Sequence, residues 1–400
     1  MISTATTHGM DKERVKPDWP AIGLDEVRVL LSQFSECGEP TKTLSVSPRP
    51  FSAASVVATN ERRVFIKRHH HSVRNREGLM EEHRFLAHLL EHGAPVTQVF
   101  STVLGESAIE MGEWTYEVHD ASSGVDIYEE ALSWTPFRSA AHAYSAGKSL
   151  ARLHLAAQGF AAPQRRLRPL VASFTIFAAE DPDAGLAQYL SARPVLEDYL
   201  VRHSEGDQAL ELLAPFHSEL LPLLPSLPSL WTHNDLHASN LLWSDESDDA
   251  QVSTIIDFGL ADRTNAVHDL AQAIERNAVE WLELEKYSTF TEYVPVHLDH
   301  IFALLDGYES ERPLTNEEVA ALAPMIAICH AEFALTEADY FLDVLHSKAN
   351  VRLCTEGYLV GHARWFRGPA GTRLLNAIRR WAETRTTHLQ KFSSDRYGEI

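Results

Sequence analysis

Cysteine is scarce: Cys37, Cys329 and Cys354 are the three in 400 residues. An odd, widely spaced set with no CxxC excludes a disulfide framework and a zinc ribbon. Long apolar runs are also missing, with nothing near the ~18 consecutive residues of a membrane span. The opening stretch MISTATTHGMDKERVKPDWP has no apolar segment of the signal-peptide kind. These absences predict a reduced, cytoplasmic setting and no membrane partner. Basic residues are in deficit, with Lys plus Arg at 35 against Asp plus Glu at 56, for a net charge of −21. Nucleic acid needs a basic face and is therefore not the expected partner. An acidic surface keeps a protein soluble and also suits cationic small molecules.

The composition is otherwise that of a globular protein, 44% hydrophobic and 23% charged, which excludes a disordered tail or a collagen. A length of 400 residues predicts two or three domains or lobes at ~150 residues each. Val27, Leu30, Leu31 and Phe34 are spaced for a short amphipathic helix after a loose leader over 1–20. Between 41 and 70, SVVAT and RRVFIK read as strands about the turn Asn60-Glu61. Helical spacing returns over 77–92, and VTQVF, SAIEM and WTYEV are strand candidates within 96–120. Helical periods then dominate, at 138–157, 207–222, 265–288, 315–347 and 370–390, interrupted by the short strands Leu241–Trp243 and Val252–Ile256. Strands with one inserted helix, followed by a helical mass, are an α+β two-lobe pattern. The expected division is a leader and helix at 1–39, a small antiparallel sheet lobe at 40–118 and a mainly helical lobe at 119–400.

Chemistry concentrates in WTHNDLHASNLLWSDESDDAQVSTIIDFGLAD, from Trp231 to Asp262. His233, Asp235 and Asn240 form H-x-D-x-x-x-x-N, and Asp257-Phe258-Gly259 ends a strand seventeen residues past Asn240. A hairpin between them brings Asn240 and Asp257 together beside Asp235. A carboxylate plus an amide oxygen is a magnesium clamp when phosphates complete the shell. A separate carboxylate is left to take a proton from an attacking hydroxyl, and those parts are what phosphoryl transfer needs.

HNDLHASN followed by IIDFG resembles the aminoglycoside phosphotransferase and choline kinase family, the small-molecule branch of the protein-kinase fold. Asn234 and Ala238 stand where the family string H-G-D-x-H-x-x-N and its relatives commonly carry Gly and Pro, while His237 matches. The resemblance implies a protein-kinase-like two-lobe fold with ATP and Mg2+ between the lobes. It makes Asp235 the catalytic base, gives the metal to Asn240 and Asp257, and leaves His233 to buttress the loop. A kinase also needs a strand lysine held by a helical glutamate. Lys67 ends an apolar strand, and Glu82 falls at about 300° on the helical wheel, the centre of the stripe made by Phe85, Leu86, Leu89 and Leu90. A carboxylate there needs a partner, so Glu82 is expected to hold Lys67. The phosphate-covering loop corresponds to PRPFSAAS, 48–55, which has no glycine; Ser52 and Ser55 are its candidate contacts. Thr115–His119, with Glu117 and His119, is expected to be the interlobe linker that holds the adenine.

Other features take plainer readings. Adjacent histidines on an extended chain face opposite ways, so His69-His70-His71 is expected to be a solvated loop rather than a metal site. Arg165, Arg166 and Arg168 are expected on a solvated turn, His154 as a hydrogen-bonded core residue and Asp269 as a structural anchor. Trp281, Phe333, Tyr340, Trp365 and Trp381 are expected in the core. Asp262 and Arg263 are candidates to face the acceptor, and Glu332, Glu337 and Asp339 are candidates for binding an amine. The expected reaction moves the γ-phosphate of ATP to a hydroxyl of a small molecule, with amine-bearing metabolites and aminoglycoside-like compounds as the candidate acceptors. The alternatives are a bacterial protein Ser/Thr kinase and a silent nucleotide-binding module.

Overall fold

The structure, a computed structural model, describes residues 17–47, 51–121, 124–166, 169–282 and 294–397. Residues 1–16 of the leader, Pro48–Pro50 of the glycine-free loop, Arg168 and the end of the 265–288 helix lie outside the described residues.

Helix α1 (Leu24–Leu31) is followed by β1 (Pro40–Val46), β2 (Ala53–Thr59), β3 (Arg63–His70), α2 (Arg76–Glu91), β4 (Ala108–Met111) and β5 (Trp114–Asp120). The strands make one antiparallel sheet in the order β1-β2-β3-β5-β4. Alternation splits its side chains between two faces. Val57, Val64, Ile66, Tyr116 and Val118 pack on one face against Val27, Leu30, Leu31 and Phe34, so α1 shares a core with the sheet rather than standing apart in a leader. Val56, Phe65, Lys67, Glu117 and His119 turn to the other face and line a cavity. β1 was not expected from sequence; it is an edge strand of mostly polar, exposed residues. VTQVF makes only isolated bridges, Val96 to Ile255 and Val99 to His119.

The rest is largely helical. α3 (Ala140–Ala156), α4 (Pro182–Leu190), α5 (Pro194–His203) and α6 (Glu205–Leu220) precede β6 (Ser229–Thr232), β7 (Leu241–Trp243), β8 (Val252–Ile255) and β9 (Asp262–Asn265). α7 (Ala266–Ala278), α8 (Leu298–Glu311), α9 (Asn316–Ile328), α10 (His330–Asp339), α11 (Lys348–Arg352), α12 (Gly361–Arg367) and α13 (Pro369–Tyr397) follow. Two local signals start key helices. Asn75 caps α2 by accepting from the Gly78 N–H at 2.9 Å, and Thr315 with Glu318 forms a capping box on α9. The run Asn316–Val344 reaches a mean hydropathy of 1.7, enough in length and composition to cross a membrane, but 94% of that window is buried inside the protein, as in a core helix. β6 pairs with β9 and β7 with β8. The first pair frames the segment carrying Asp235, and the second delivers Asp257 beside it.

Candidate active site

The segment from His233 to Asn240 joins β6 to β7 and is pinned from below. Asp269 on α7 accepts the backbone N–H groups of His233 and Asn234 at 2.9 and 2.8 Å. His154 touches the same carboxylate at 3.0 Å and the Tyr308 hydroxyl at 2.7 Å, both fully buried. The anchor and the core histidine therefore lie where the sequence put them. Asn277 adds two bonds, donating to the Leu236 carbonyl and accepting from the Ala238 N–H, each at 2.8 Å. Asn234 has φ of +61°, a left-handed conformation that glycine adopts freely and that Asn tolerates better than most side chains. Its amide also bonds the Thr232 hydroxyl at 2.8 Å and the Ala172 carbonyl at 3.0 Å. His233 reaches the Ile256 carbonyl at 2.9 Å and accepts from the Asp235 N–H at 3.1 Å, bracing the loop against the approach to Asp257.

Asn240 donates its amide N–H to the Asp235 carbonyl at 2.9 Å and to Asp235 Oδ2 at 3.1 Å. That spends the nitrogen and leaves the amide oxygen for a metal. Asn240 and Asp257 line the same cavity of about 380 Å3 as Lys67, Glu82, Glu117 and His119. Lys67 Nζ donates to Asp257 Oδ1 at 2.7 Å. Burial works against the charge on both, yet each holds the other ionised. The Asp257 carboxyl stays below the usual carboxylate range because of Lys67. The ammonium stays above its own range because of Asp257, Glu117 and Glu82.

Four expectations are corrected here. Lys67 is paired with Asp257, not Glu82, whose Oε2 lies 3.8 Å from Arg165. Arg165 is buried rather than on a solvated turn, its guanidinium donating to the carbonyls of Gly78, Gly259 and Ala261 at 2.9, 3.1 and 3.1 Å; Arg166 is exposed. Ser55 pairs across the sheet with Ile66, so its hydroxyl points to the α1 side, away from the cavity. Neither Ser55 nor Ser52 lines the cavity; Ser45 and Ser47 of β1 and its end do. Thr115–His119 is strand, not linker: Lys67 pairs with Glu117 and Phe65 with His119, so those backbone groups serve the sheet. Asp120, Ala121 and Gly124 carry the wall onward.

His69 and His70 also belong to β3 rather than to a loop. They face opposite ways as expected, His70 stacking on Trp19 at 5.0 Å and His69 turning in to Glu117. Burial would push the Glu117 carboxyl up, but His119, with hydrogen bonds from His119, His69 and His83, holds it well below the usual range.

The acceptor candidates are mostly committed elsewhere. Asp262 accepts from the Arg165 N–H at 2.7 Å and the Ser173 hydroxyl at 2.6 Å, and Arg263 donates to Ser229 at 2.8 Å. Glu332 accepts the Ile176 N–H at 2.6 Å, Asp339 lies 3.6 Å from Arg193, and burial pushes the Glu337 carboxyl up to about 8. Trp281, Phe333, Tyr340 and Trp365 are buried core residues and Trp381 packs on that core.

Arg276 on α7 was missed. It is 1% exposed, its guanidinium meets the Asp235 carboxylate directly, and it lies 4.2 Å from the Phe333 ring. A signal existed. Arg276 follows Asp269 by seven residues, two helical turns, and so shares the helix face that carries the loop's anchor.

The family model for the "Phosphotransferase enzyme family" matches residues 50–310. The chain belongs to this family. The chain is similar to homoserine kinases. That of Rhodopseudomonas palustris is 27% identical over 217 residues, covering 53% of this chain and 55% of that protein. That of Gluconacetobacter diazotrophicus is 30% identical over 203 residues, covering 49% and 52%. The chain thus spans about half the length of the curated relatives it matches. Two solved structures share the phosphotransferase fold. A microcompartment-associated aminopropanol kinase has a TM-score of 0.57 at 16% identity, with 88% of this chain and 100% of that one covered. An amicoumacin kinase in complex with AMP-PNP and Ca2+ has 0.53 at 13%, with 84% and 92% covered.

Proposed function

We propose that this protein transfers the γ-phosphate of ATP to a hydroxyl of a small molecule that also carries a carboxylate. The observation that carries the reading is the convergence of Lys67, Asn240 and Asp257 on one interlobe cavity, with Asp235 hydrogen-bonded to Asn240 at its edge. The oxygen pair of Asp257 and Asn240 suits Mg2+, which would neutralise phosphate charge when bound with nucleotide. Lys67, now on Asp257, is placed to take phosphate oxygens instead. Ser52 and Ser55 do not line the cavity, which leaves Ser45 and Ser47 as the polar cover for phosphates. Asp235 accepts the proton of the acceptor hydroxyl and orients its oxygen for in-line attack. The small-molecule class follows from the family, and the carboxylate from Arg276. A buried guanidinium beside the base is matched to a second anion, as in a hydroxy amino acid, and the amine-binding candidates Glu332 and Asp339 are already engaged.

ADP release is measured with Mg2+-ATP against hydroxy amino acids, hydroxy acids, amino alcohols, an aminoglycoside and a generic protein substrate, beside Asp235→Asn. The expected result is turnover of a carboxylate-bearing alcohol, lowered roughly a hundred- to ten-thousandfold in the variant. Undiminished turnover in Asp235→Asn overturns the role of the base. Turnover confined to amino alcohols or protein overturns the acceptor class, and ATP binding with no turnover of any acceptor leaves a binding module.

A further inference from the structure

Behind the nucleotide cavity, three imidazoles from three elements surround one carboxylate. His69 Nε2 on β3 lies 2.8 Å from Glu117 Oε1. His83 Nε2 on α2 and His119 Nε2 on β5 lie 2.9 and 2.8 Å from the other oxygen, Oε2. Among the described residues, the ligand atoms of His83, Glu117 and His119 all fall within 4.8 Å of one another. The His83 and His119 rings stand at 85° to each other, so two nitrogens approach a common point from different directions. We propose that His83, Glu117 and His119 bind a divalent transition-metal ion of the Zn2+ class, at a site separate from the nucleotide's metal.

The chemistry of the donors selects the ion. Two imidazole nitrogens and one carboxylate oxygen suit Zn2+ or Co2+, whereas Mg2+ prefers an all-oxygen shell. The outer nitrogens are already held as metal-binding histidines require. His83 Nδ1 is 2.9 Å from the Ser107 hydroxyl and His119 Nδ1 is 3.4 Å from the Thr97 hydroxyl. In the ion-free protein the inner Nε2–H groups donate to Glu117. A bound ion takes the place of those Nε2 protons, and each ligand ring then carries its N–H at Nδ1, where these hydroxyls accept it. Metal–ligand bonds of ~2.0–2.1 Å open the present separations to about 3.3 Å, a small rotation of each side chain. Glu117 and His119 line the cavity, leaving a fourth position for water or a cavity ligand. His69, on the far oxygen, fixes the carboxylate. An ion here ties α2 to the sheet one residue from Glu82 and thereby sets how α2 stands over the nucleotide cavity.

The test is metal binding by the full chain, independent of turnover. Chelator-stripped protein is loaded with Zn2+ or Co2+, dialysed against Mg2+ buffer and measured for metal content and for the visible absorption of tetrahedral Co2+. One ion per chain is expected in the wild type and in Asp257→Asn, and none in His83→Gln or His119→Gln. Ser107→Ala, which removes no ligand, should weaken affinity roughly ten- to a hundredfold. Wild-type protein that keeps no ion overturns the proposal and leaves Glu117 with a hydrogen-bonded histidine cluster. An ion kept in folded His83→Gln or His119→Gln, or lost in Asp257→Asn, overturns it in favour of the nucleotide's metal site.

Discussion

An acceptor carboxylate at Arg276 must displace the Asp235 carboxylate that the guanidinium now holds, and that exchange frees the base when the substrate hydroxyl arrives. Arg276→Gln should therefore raise KM for a carboxylate-bearing alcohol roughly ten- to a hundredfold, the worth of a charge-assisted hydrogen bond, with KM for ATP unchanged. Steady-state kinetics with both substrates varied checks this, and a parallel rise in both constants would point to damaged folding instead. Arg165 serves carbonyls as well as the Glu81 and Glu82 carboxylates, 3.7 and 3.8 Å away. Its guanidinium serves three buried carbonyls on α2 and beside Asp257. Arg165→Met removes these bonds, leaves Arg74 on the Gly259 carbonyl, and should cost about 2 kcal/mol of stability, read by urea unfolding. A loss under ~1 kcal/mol would mean that water replaces the side chain.

At the scale of elements, α3 and α8 meet through glycines. A Cβ on Gly147 would run into the Leu304 carbonyl, and one on Gly307 into the Tyr144 carbonyl. Both obstacles are backbone, so neither helix can give way by a rotamer change. Gly147→Ala should lose about 1–3 kcal/mol or more, and calorimetry that finds its Tm unchanged would show the helices free to separate. The 138–157 helix was legible from its period; its close partner α8 was not, since nothing local ties two segments so far apart. The same division runs through the site. His233, Asp235, Asn240 and Asp257 were readable because one hairpin sets their spacing. Ser55 was misplaced because only the register against Ile66 decides its face. Glu82 was correctly buried, but its neighbour Arg165 comes from 83 residues downstream. β1 hid because an edge strand need not alternate apolar residues.

For the whole molecule, buried ionisable groups set a pH window. Burial pushes Glu275 and Glu337 from 4.5 up to about 8, so between those limits the folded protein holds protons that the unfolded chain has lost. Stability from these groups is complete below pH 4.5 and drains as pH rises, at about 1.4 kcal/mol per pH unit for each group. Burial draws His268 and His330 from 6.5 down to about 4. Their contribution has the opposite sign, complete above pH 6.5 and lost as pH falls toward 4. Between 4.5 and 6.5 the two pairs offset each other, and from 6.5 to 8 only the glutamates act. Maximum stability is therefore expected on the acid side of neutrality, with a decline toward pH 8. Glu337→Gln removes one of the two titrating carboxyls, so urea unfolding across that window should show the slope reduced by about 1.4 kcal/mol per pH unit. An unchanged slope would mean that Glu337 is already ionised in the folded protein, held by the charge of Arg276, and that this guanidinium is shared between Glu337 and Asp235 before any acceptor binds.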